Sequence, residues 1–294
     1  MSVSYSAIID RIGITVPLTL SQYIQCNGQL WKEIKVNKGK PKQIEGGWRA
    51  RFGFNDVAWA AITVAKRYGY RYLQYDFKPT ELDAAAFELF LTLSSKFQNA
   101  TYANALVAGK VSKLEIAIDY LFKNTLDLLV HKPGVQGSQV YFPHTGAPPT
   151  LYVGSLHSPS RYVAYTGWKD KVLGQQLLTQ QVMRIEARKR NISMSPADLG
   201  DLPNQFSGVS LFSIAAAEAL GGTSVKEWGC FLGAAKMVGV ATALGYYPQQ
   251  RKKLLTLLSQ CCVPWWKPTS CVTHWKQIVD TQLRLSKMKA AYTA

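Results

Sequence analysis

The 294-residue chain has few acidic residues, few cysteines and few charged residues overall. Its 18 Asp and Glu residues stand against 34 Lys and Arg residues, which leaves a net charge of +16 at neutral pH. A surplus of that sign attracts polyanions, so nucleic acid is the first partner to consider and an anionic membrane surface the second. Disorder is excluded as the main state, because 47% of the residues are hydrophobic and 12% are aromatic.

The cysteine count and the apolar segments indicate where in the cell the protein is expected to be found. Five cysteines are too few and too oddly numbered for a disulfide scaffold in a chain of this length. The opening MSVSYSAIID has no basic residue and places Asp10 where a signal peptide is most apolar, so we expect no export. The most apolar stretch, residues 228–247, has Lys236 at its centre, which favours a packed helix over a membrane span. We therefore predict a cytoplasmic protein with no membrane partner.

Local patterns predict an α+β fold followed by helices. Helical spacing is found at residues 56–68, which end before Gly69, and at 80–97; strand patterns are found at 70–77, 113–122, 139–142, 150–154, 161–166 and 182–188. Beyond residue 192 the segments are helical, at 211–220, 225–244, 248–259 and 272–291. We predict a catalytic α+β domain over residues 1–192, built as an antiparallel sheet with flanking helices. A mainly α-helical C-terminal domain is predicted over residues 193–294.

Most of the positive charge lies in the first part of the chain, where 24 of the 34 basic residues precede residue 195. Residues 31–51 carry seven basic and two acidic residues among glycines and two tryptophans, a pattern typical of a basic hairpin or loop. Its candidate DNA contacts are Lys38, Lys40, Lys42, Arg49 and Arg51. A solvated turn is the alternative interpretation.

Two predicted strands direct acidic side chains to one face. Glu115 and Asp119 share a face in KLEIAIDYLF, and Glu186 shares its face with Arg184 and Arg188 in VMRIEAR. Residues four apart on a strand are about 13 Å apart, so Glu115 and Asp119 alone would hardly share one ion. Either of them could share an ion with Glu186 from a neighbouring strand. Oxygen ligands of this kind suit Mg²⁺ or Mn²⁺. The alternative is a solvated sheet face on which the acids pair with nearby cations.

Residues 151–171 combine three tyrosines with several cations. A phenol has an ordinary pKa near 10 and is a poor nucleophile until cations or a metal ion help to remove its proton. Tyr165, between Arg161 and Lys169, has such surroundings for attack on a phosphodiester. Tyr162 is a rival nucleophile, although strand alternation places it on the opposite face. The alternative is that tyrosines are simply favoured in strands.

In their order and spacing, these motifs resemble the core of the replication initiation factor family, the rolling-circle initiators of small plasmids of the Rep-trans type and of filamentous phages. KLEIAIDYLF is similar to the family's block of Arg or Lys, Asp, Ala and Asp separated by hydrophobic residues, and MRIEARKR is similar to its Arg-hydrophobic-Glu block. LYVGS followed by Tyr165 is similar to its Tyr-x-Gly-Ser turn and nicking tyrosine. The resemblance covers residues 70–192. Two features depart from it: Glu115 stands at a usual Asp, and Thr166 and Gly167 follow the tyrosine where Asp or Asn and then Lys are usual.

The resemblance implies an enzyme that nicks and rejoins one DNA strand at a replication origin through a phosphotyrosyl intermediate. Tyr165 is then the nucleophile, supported by Arg161 and Lys169. Glu115, Asp119 and Glu186 are the expected ligands of Mg²⁺ or Mn²⁺, and Arg184 and Arg188 join the hairpin cations as DNA contacts.

The expected partner is origin DNA, double-stranded and single-stranded, with a host helicase and a second copy of the chain as further candidates. The C-terminal domain is expected to recognise the origin or to mediate dimerisation. A non-catalytic DNA- or RNA-binding protein and a conjugative relaxase are the alternative functions.

Overall fold

The computed structural model describes residues 6–121, 123–172, 175–220 and 226–288, with the backbone alone for residues 168–180. The strands are β1 (Ile8–Pro17), β2 (Lys40–Ile44), β3 (Gly47–Gly53), β4 (Trp59–Arg67), β5 (Tyr70–Phe77), β6 (Lys110–Leu121), β7 (Leu128–His131), β8 (Ser138–Tyr141), β9 (Thr150–Val153), β10 (Ser160–Val172), β11 (Gln175–Arg190) and β12 (Ser210–Ser213). The helices are α1 (Leu20–Val36), α2 (Ala84–Ser95), α3 (Tyr102–Ala108), α4 (Ile214–Ala219), α5 (Trp228–Val238), α6 (Val240–Gly245), α7 (Arg251–Ser259), α8 (Pro268–Cys271) and α9 (Trp275–Leu283). Short 3₁₀ segments lie at Pro79–Glu81, Thr125–Asp127 and Pro196–Asp201.

The fold is α+β with a large antiparallel sheet, as predicted. The chain forms two compact units. The N-terminal unit contains Ile8–Ile116, Lys189–Leu202 and the described residues from Trp275 onwards. The unit that contains Tyr165, called the Tyr165 unit, is formed by Ala117–Arg188, Pro203–His274 and the described residues before Ile8. Each unit takes residues from both sides of the predicted boundary at residue 192, so the predicted two-domain layout is not confirmed. Within the described residues, no helix has the length and apolar character needed to cross a membrane.

The N-terminal unit has the strand order β2-β3-β4-β5-β1-β6. The pairs from β2 through β1 are antiparallel. Helices cover one face of these strands: Tyr75 of β5 makes edge contacts with Phe90 of α2 and Tyr102 of α3, and Trp48 of β3 contacts Trp31 of α1. Aromatic pairs of this geometry add specific attraction to the burial of apolar area. One face of the sheet is therefore the core of the unit.

The predicted helix at residues 56–68 is wrong, because this segment is the strand β4. Its apolar side chains are buried on both faces, with Ala61 and Ile62 fully buried on opposite sides of the strand, and such a run is not distinguished from a helix by spacing alone. Tyr68 and Gly69 both have positive φ, at 48° and 80°, which is the backbone of a tight hairpin turn into β5. Gly69 therefore reverses the chain between two strands and does not end a helix.

The Tyr165 unit has the strand order β6-β11-β10-β9-β8, with β7 and β12 forming a separate antiparallel pair. β6 contributes its residues from Ala117 onwards to this unit. The six predicted strands each fall on an observed strand, and β10 and β11 extend beyond the predicted bounds. The pairs β8–β9 and β9–β10 are antiparallel.

The segments after residue 203 are mainly helical, with some differences from the prediction. The predicted helix at 225–244 is divided into α5 and α6 at Gly239, whose φ is 83°. The predicted helix at 211–220 begins as the strand β12 and continues as α4. Helices α5, α6 and α7 share an apolar cluster that includes Phe231, Leu244 and Leu254. These helices belong to the Tyr165 unit, together with its strands.

Candidate active site

One face of three neighbouring strands in the Tyr165 unit carries the predicted chemistry. On β11, Arg184, Glu186 and Arg188 alternate with apolar residues and therefore point to the same side of the sheet. Asp119 of β6 is paired with Arg184, and Tyr165 of β10 is paired with Glu186, so both share that side. On this face the structure joins Asp119 with Arg184, and Tyr165 and Arg188 with Glu186.

Asp119 and Arg184 form a buried, two-pronged ion pair. The Nε and Nη2 atoms of Arg184 donate to the two carboxylate oxygens of Asp119 at 2.6 and 2.7 Å. The aspartate is 3% exposed and the arginine 8% exposed. Paired hydrogen bonds of this kind fix both groups and offset the cost of removing their charges from water. The two side chains therefore hold each other in place on this face of the sheet.

Tyr165, Glu186 and Arg188 form a second chain of contacts. The Tyr165 hydroxyl donates to Glu186 Oε1 at 2.7 Å, and Arg188 donates to Glu186 Oε2 from Nε at 2.8 Å. Glu186 is only 2% exposed, whereas Tyr165 and Arg188 are half-buried. A carboxylate that accepts from a phenol orients its oxygen and can receive its proton. The guanidinium beside it supplies a positive charge for an approaching phosphate.

Tyr162 lies on the opposite face of β10, as predicted. It is paired in register with Val153 of β9, and its hydroxyl donates to the backbone oxygen of Gln205 at 2.9 Å. Burial raises the pKa of the Tyr162 hydroxyl. Because this hydroxyl is held by a backbone carbonyl on the other face, away from the Glu186 carboxylate, Tyr165 is the better candidate nucleophile.

Of the two cations predicted to support Tyr165, the structure describes the side chain of Arg161 but not that of Lys169. Arg161 lies on β10 and places its guanidinium carbon 4.1 Å from the ring centroid of Tyr152. Tyr152 is paired in register with Val163, so Arg161, Tyr152 and Tyr165 share one face of the sheet. Lys169 also lies on β10, but its side chain is outside the described residues.

Glu115 lies in the N-terminal unit, where it is 9% exposed and its Oε1 is 2.9 Å from Nζ of Lys113. Its negative charge also contributes to raising the pKa of Arg11, a shift caused first by the hydrogen bond from Arg11 to Asp76. The ion pair with Lys113 is the arrangement expected of an acid on a sheet face that carries cations.

The described carboxylates do not form a ready ligand set for a metal ion. Both oxygens of Asp119 accept from Arg184, and those of Glu186 accept from Tyr165 and Arg188, so an ion would have to displace one of these donors. Over the described part of the chain, no three His, Cys, Asp or Glu side chains lie together as a metal-binding group. The site of Mg²⁺ or Mn²⁺ stays a prediction, and no step proposed below passes through an ion.

The predicted basic hairpin is formed by β2 and β3. Lys40 is paired in register with Arg51, and Lys42 with Arg49, so these four cations lie on one face. Lys38, with a φ of 49°, lies in the turn before β2.

Three residues beside the hairpin, Arg11, Trp59 and Asp76, were not predicted from the sequence. Asp76 of β5 binds Arg49 and also Arg11 of β1, and Trp59 of β4 contacts the guanidinium groups of Arg11 and Arg51. The alternation of Ile12, Ile14 and Val16 in β1 is a strand signal that would have placed Arg11 on the polar face.

No protein-family model matches this chain, and a search of curated proteins finds no significant match. The functional assignment is therefore argued from the site itself.

Proposed function

We propose that this protein nicks and rejoins one strand of DNA at a replication origin, with Tyr165 as the nucleophile. The observation that carries the proposal is the contact of the Tyr165 hydroxyl with the buried Glu186 carboxylate, which Arg188 also holds. A nucleophile in contact with an acceptor, and a cation within the same cluster, are the parts that phosphoryl transfer by a phenol requires. The net charge of +16 supports a polyanionic substrate.

In the proposed step the Tyr165 oxygen attacks the phosphorus of a phosphodiester. The phenolic proton passes to Glu186, the new bond joins the tyrosine to the 5′ phosphate, and the bond from phosphorus to the 3′ oxygen breaks. The proton held by Glu186 passes through water to the 3′ oxygen, which becomes a free hydroxyl that can prime synthesis, and Glu186 is again a carboxylate. Rejoining is the reverse, since the energy of the broken bond is kept in the phosphotyrosyl bond.

Arg188 and Arg161 are the candidate groups for the charge that develops on the phosphate. Arg188 already lies at the Glu186 carboxylate, and Arg161 shares the Tyr165 face through its contact with Tyr152. Asp119 and Arg184 are assigned a positioning role, because each satisfies the other within the buried part of the face.

The test is a nicking assay on supercoiled DNA that carries the sequence flanking the protein's own gene. Tyr165→Phe removes the nucleophilic oxygen and keeps the ring, so we expect nicking and the covalent adduct to fall by at least about three orders of magnitude. Tyr162→Phe is the matched control, because it also removes a tyrosine oxygen from β10 but on the opposite face. We expect this control to keep nicking within a few-fold while losing about 1 kcal/mol of stability.

These measurements distinguish Tyr165 from Tyr162 as the nucleophile and a nicking enzyme from a non-catalytic binding protein. Adduct formation that survives in Tyr165→Phe and disappears in Tyr162→Phe would transfer the role to the other tyrosine. DNA binding without an adduct in the wild type, with added Mg²⁺ or Mn²⁺ as well as without, would favour the non-catalytic binding protein.

A further inference from the structure

The register of the N-terminal unit aligns one residue from each of five strands in a single row. Gly13 is paired with Asp76, Asp76 with Ala61, Ala61 with Arg51, and Arg51 with Lys40. Paired residues of neighbouring strands point to the same side, so this row marks one face of the sheet. It is the face opposite the one on which Trp48 and Tyr75 meet the helices α1, α2 and α3.

A second row runs beside the first, with Arg49 paired to Lys42 and to Thr63. Together with Arg11, which contacts Asp76, these rows carry five cations and one carboxylate: Arg11, Lys40, Lys42, Arg49 and Arg51 against Asp76. Lys40, Lys42 and Arg51 are exposed to solvent. The face is therefore a strongly positive surface with only part of its charge neutralised.

Asp76 holds two of these cations in fixed positions. Arg11 donates to both of its oxygens at 2.6 and 2.8 Å, and Arg49 donates to Oδ2 at 2.9 Å. Both arginines nevertheless keep part of their side chains exposed, at 24% and 32%. Cations that are already oriented lose less entropy when they bind a phosphate.

Aromatic rings lie on either side of the two cationic rows, displaced from them along the strands. Trp59, two residues before Ala61 on β4, contacts the guanidinium groups of Arg51 at 4.2 Å and Arg11 at 5.2 Å. Tyr72 is paired with Ala65 on the same face, six residues further along β4, which is about 20 Å away. Tyr72 also stacks with the exposed Tyr70, their ring centroids 6.0 Å apart.

We propose that this face, formed by the two cationic rows with Trp59 on one side of them and Tyr72 on the other, binds single-stranded DNA. Cations that follow the backbone and aromatic rings that stack on bases are the two elements of single-strand recognition. A duplex keeps its bases paired and stacked on one another, so it can use the cations but not the rings. The inference rests on the proposed function for the source of the strand, since nicking releases one, but binding itself is measured without nicking.

The test measures fluorescence anisotropy of a labelled oligothymidine of about 20 nucleotides with the full-length protein. Lys40→Ala with Lys42→Ala removes two cations from the face, and we expect affinity to fall at least about tenfold and the salt slope to drop by about 1.4. Lys32→Ala with Lys35→Ala is the matched control, because it removes two exposed cations of α1, which packs on the other face. Equal losses in the two double variants would overturn the proposal.

Trp59 tests the stacking part of the proposal. We expect Trp59→Ala to weaken single-strand binding about tenfold, Trp59→Phe to restore most of it, and binding of a duplex of the same length to change little. An equal effect of Trp59→Ala on duplex and single strand would overturn the assignment. So would a higher affinity of the wild type for a single-stranded RNA oligomer than for the DNA oligomer. Oligothymidine binding is measured without nicking, and nicking is measured separately by the covalent adduct, so failure of nicking and failure of this surface are told apart.

Discussion

Asp76, Asp119 and Glu186 are buried carboxylates, and each accepts hydrogen bonds from an arginine. Removing an ion from water is costly, so a buried carboxylate is stable only with such partners. Glu186 accepts from a tyrosine as well as from an arginine. This contact is what makes it the candidate proton acceptor in the proposed reaction.

Part of the site could be predicted at the scale of the residue. Alternation along β11 was enough to place Glu186 between Arg184 and Arg188 on one face. The contact of Tyr165 with Glu186 could not be predicted from residues alone, because it depends on β10 and β11 being neighbours in register. The same holds for Arg11 with Asp76, which are 65 positions apart.

His131 supplies a prediction about pH. It is 4% exposed on β7, its Nε2 is buried and accepts no hydrogen bond from any described residue, and burial together with Arg251 lowers the pKa of His131 to about 4. Between pH 6.5 and about 4 the unfolded chain takes up a proton that the folded chain excludes. Stability therefore falls as the pH falls through this window, by up to about 3 kcal/mol.

Urea unfolding at pH 7 and at pH 4.5 measures this effect. His131→Phe keeps a ring of similar size without a titrating group, so we expect it to lose most of the difference between the two pH values. His157→Gln is the control, because His157 is exposed, and it should behave like the wild type. An unchanged pH dependence in His131→Phe would show that other groups cause it.

At the scale of the element, two hairpin glycines differ in the room that their surroundings leave for a side chain. Gly46 and Gly69 have φ values of 76° and 80°, so any other residue is strained at either position. A Cβ at Gly69 meets no described atom within 4 Å, whereas one at Gly46 would overlap the backbone oxygen of Lys66. We expect Gly69→Ala to lower the free energy of unfolding by about 1 kcal/mol and Gly46→Ala by at least about twice that.

Equilibrium unfolding in urea compares the two variants directly, and each serves as the control for the other. Equal losses would mean that backbone strain alone matters and that the β2–β3 turn moves to make room. A smaller loss for Gly46→Ala than for Gly69→Ala would contradict the close approach to Lys66.

Elements with one buried face were predictable, and a strand buried on both faces was not. The strand at 70–77 was predicted with its observed bounds, because its core side chains alternate with polar ones. In β4, alanines fill both faces beside Ile62 and Val64, so the period of two is hidden. The turn residues did not decide between strand and helix, because Tyr68 followed by Gly69 fits a hairpin turn as well as a helix end.

At the scale of the whole molecule, both compact units are assembled from separate parts of the chain. Composition along the sequence changes near residue 192, but compactness is set by which strands and helices pack together. A boundary drawn from a change of pattern therefore records where helices replace strands, and it need not record where one unit ends. The net charge, in contrast, is a property of the whole chain that the sequence states outright.

That charge of +16 leads to a last prediction, about salt. Each phosphate that the protein neutralises releases condensed counterions, so the logarithm of the affinity for duplex DNA should fall linearly with the logarithm of the salt concentration, with a slope steeper than about −3. Anisotropy titrations between about 50 and 200 mM salt measure the slope. A peptide nucleic acid of the same base sequence is the control, because it has bases but no phosphates, and its binding should be weak and nearly independent of salt. A flat slope for DNA, or a tight complex with the uncharged oligomer, would mean that base contacts and not phosphate contacts dominate binding, and the positive surplus would then need another partner.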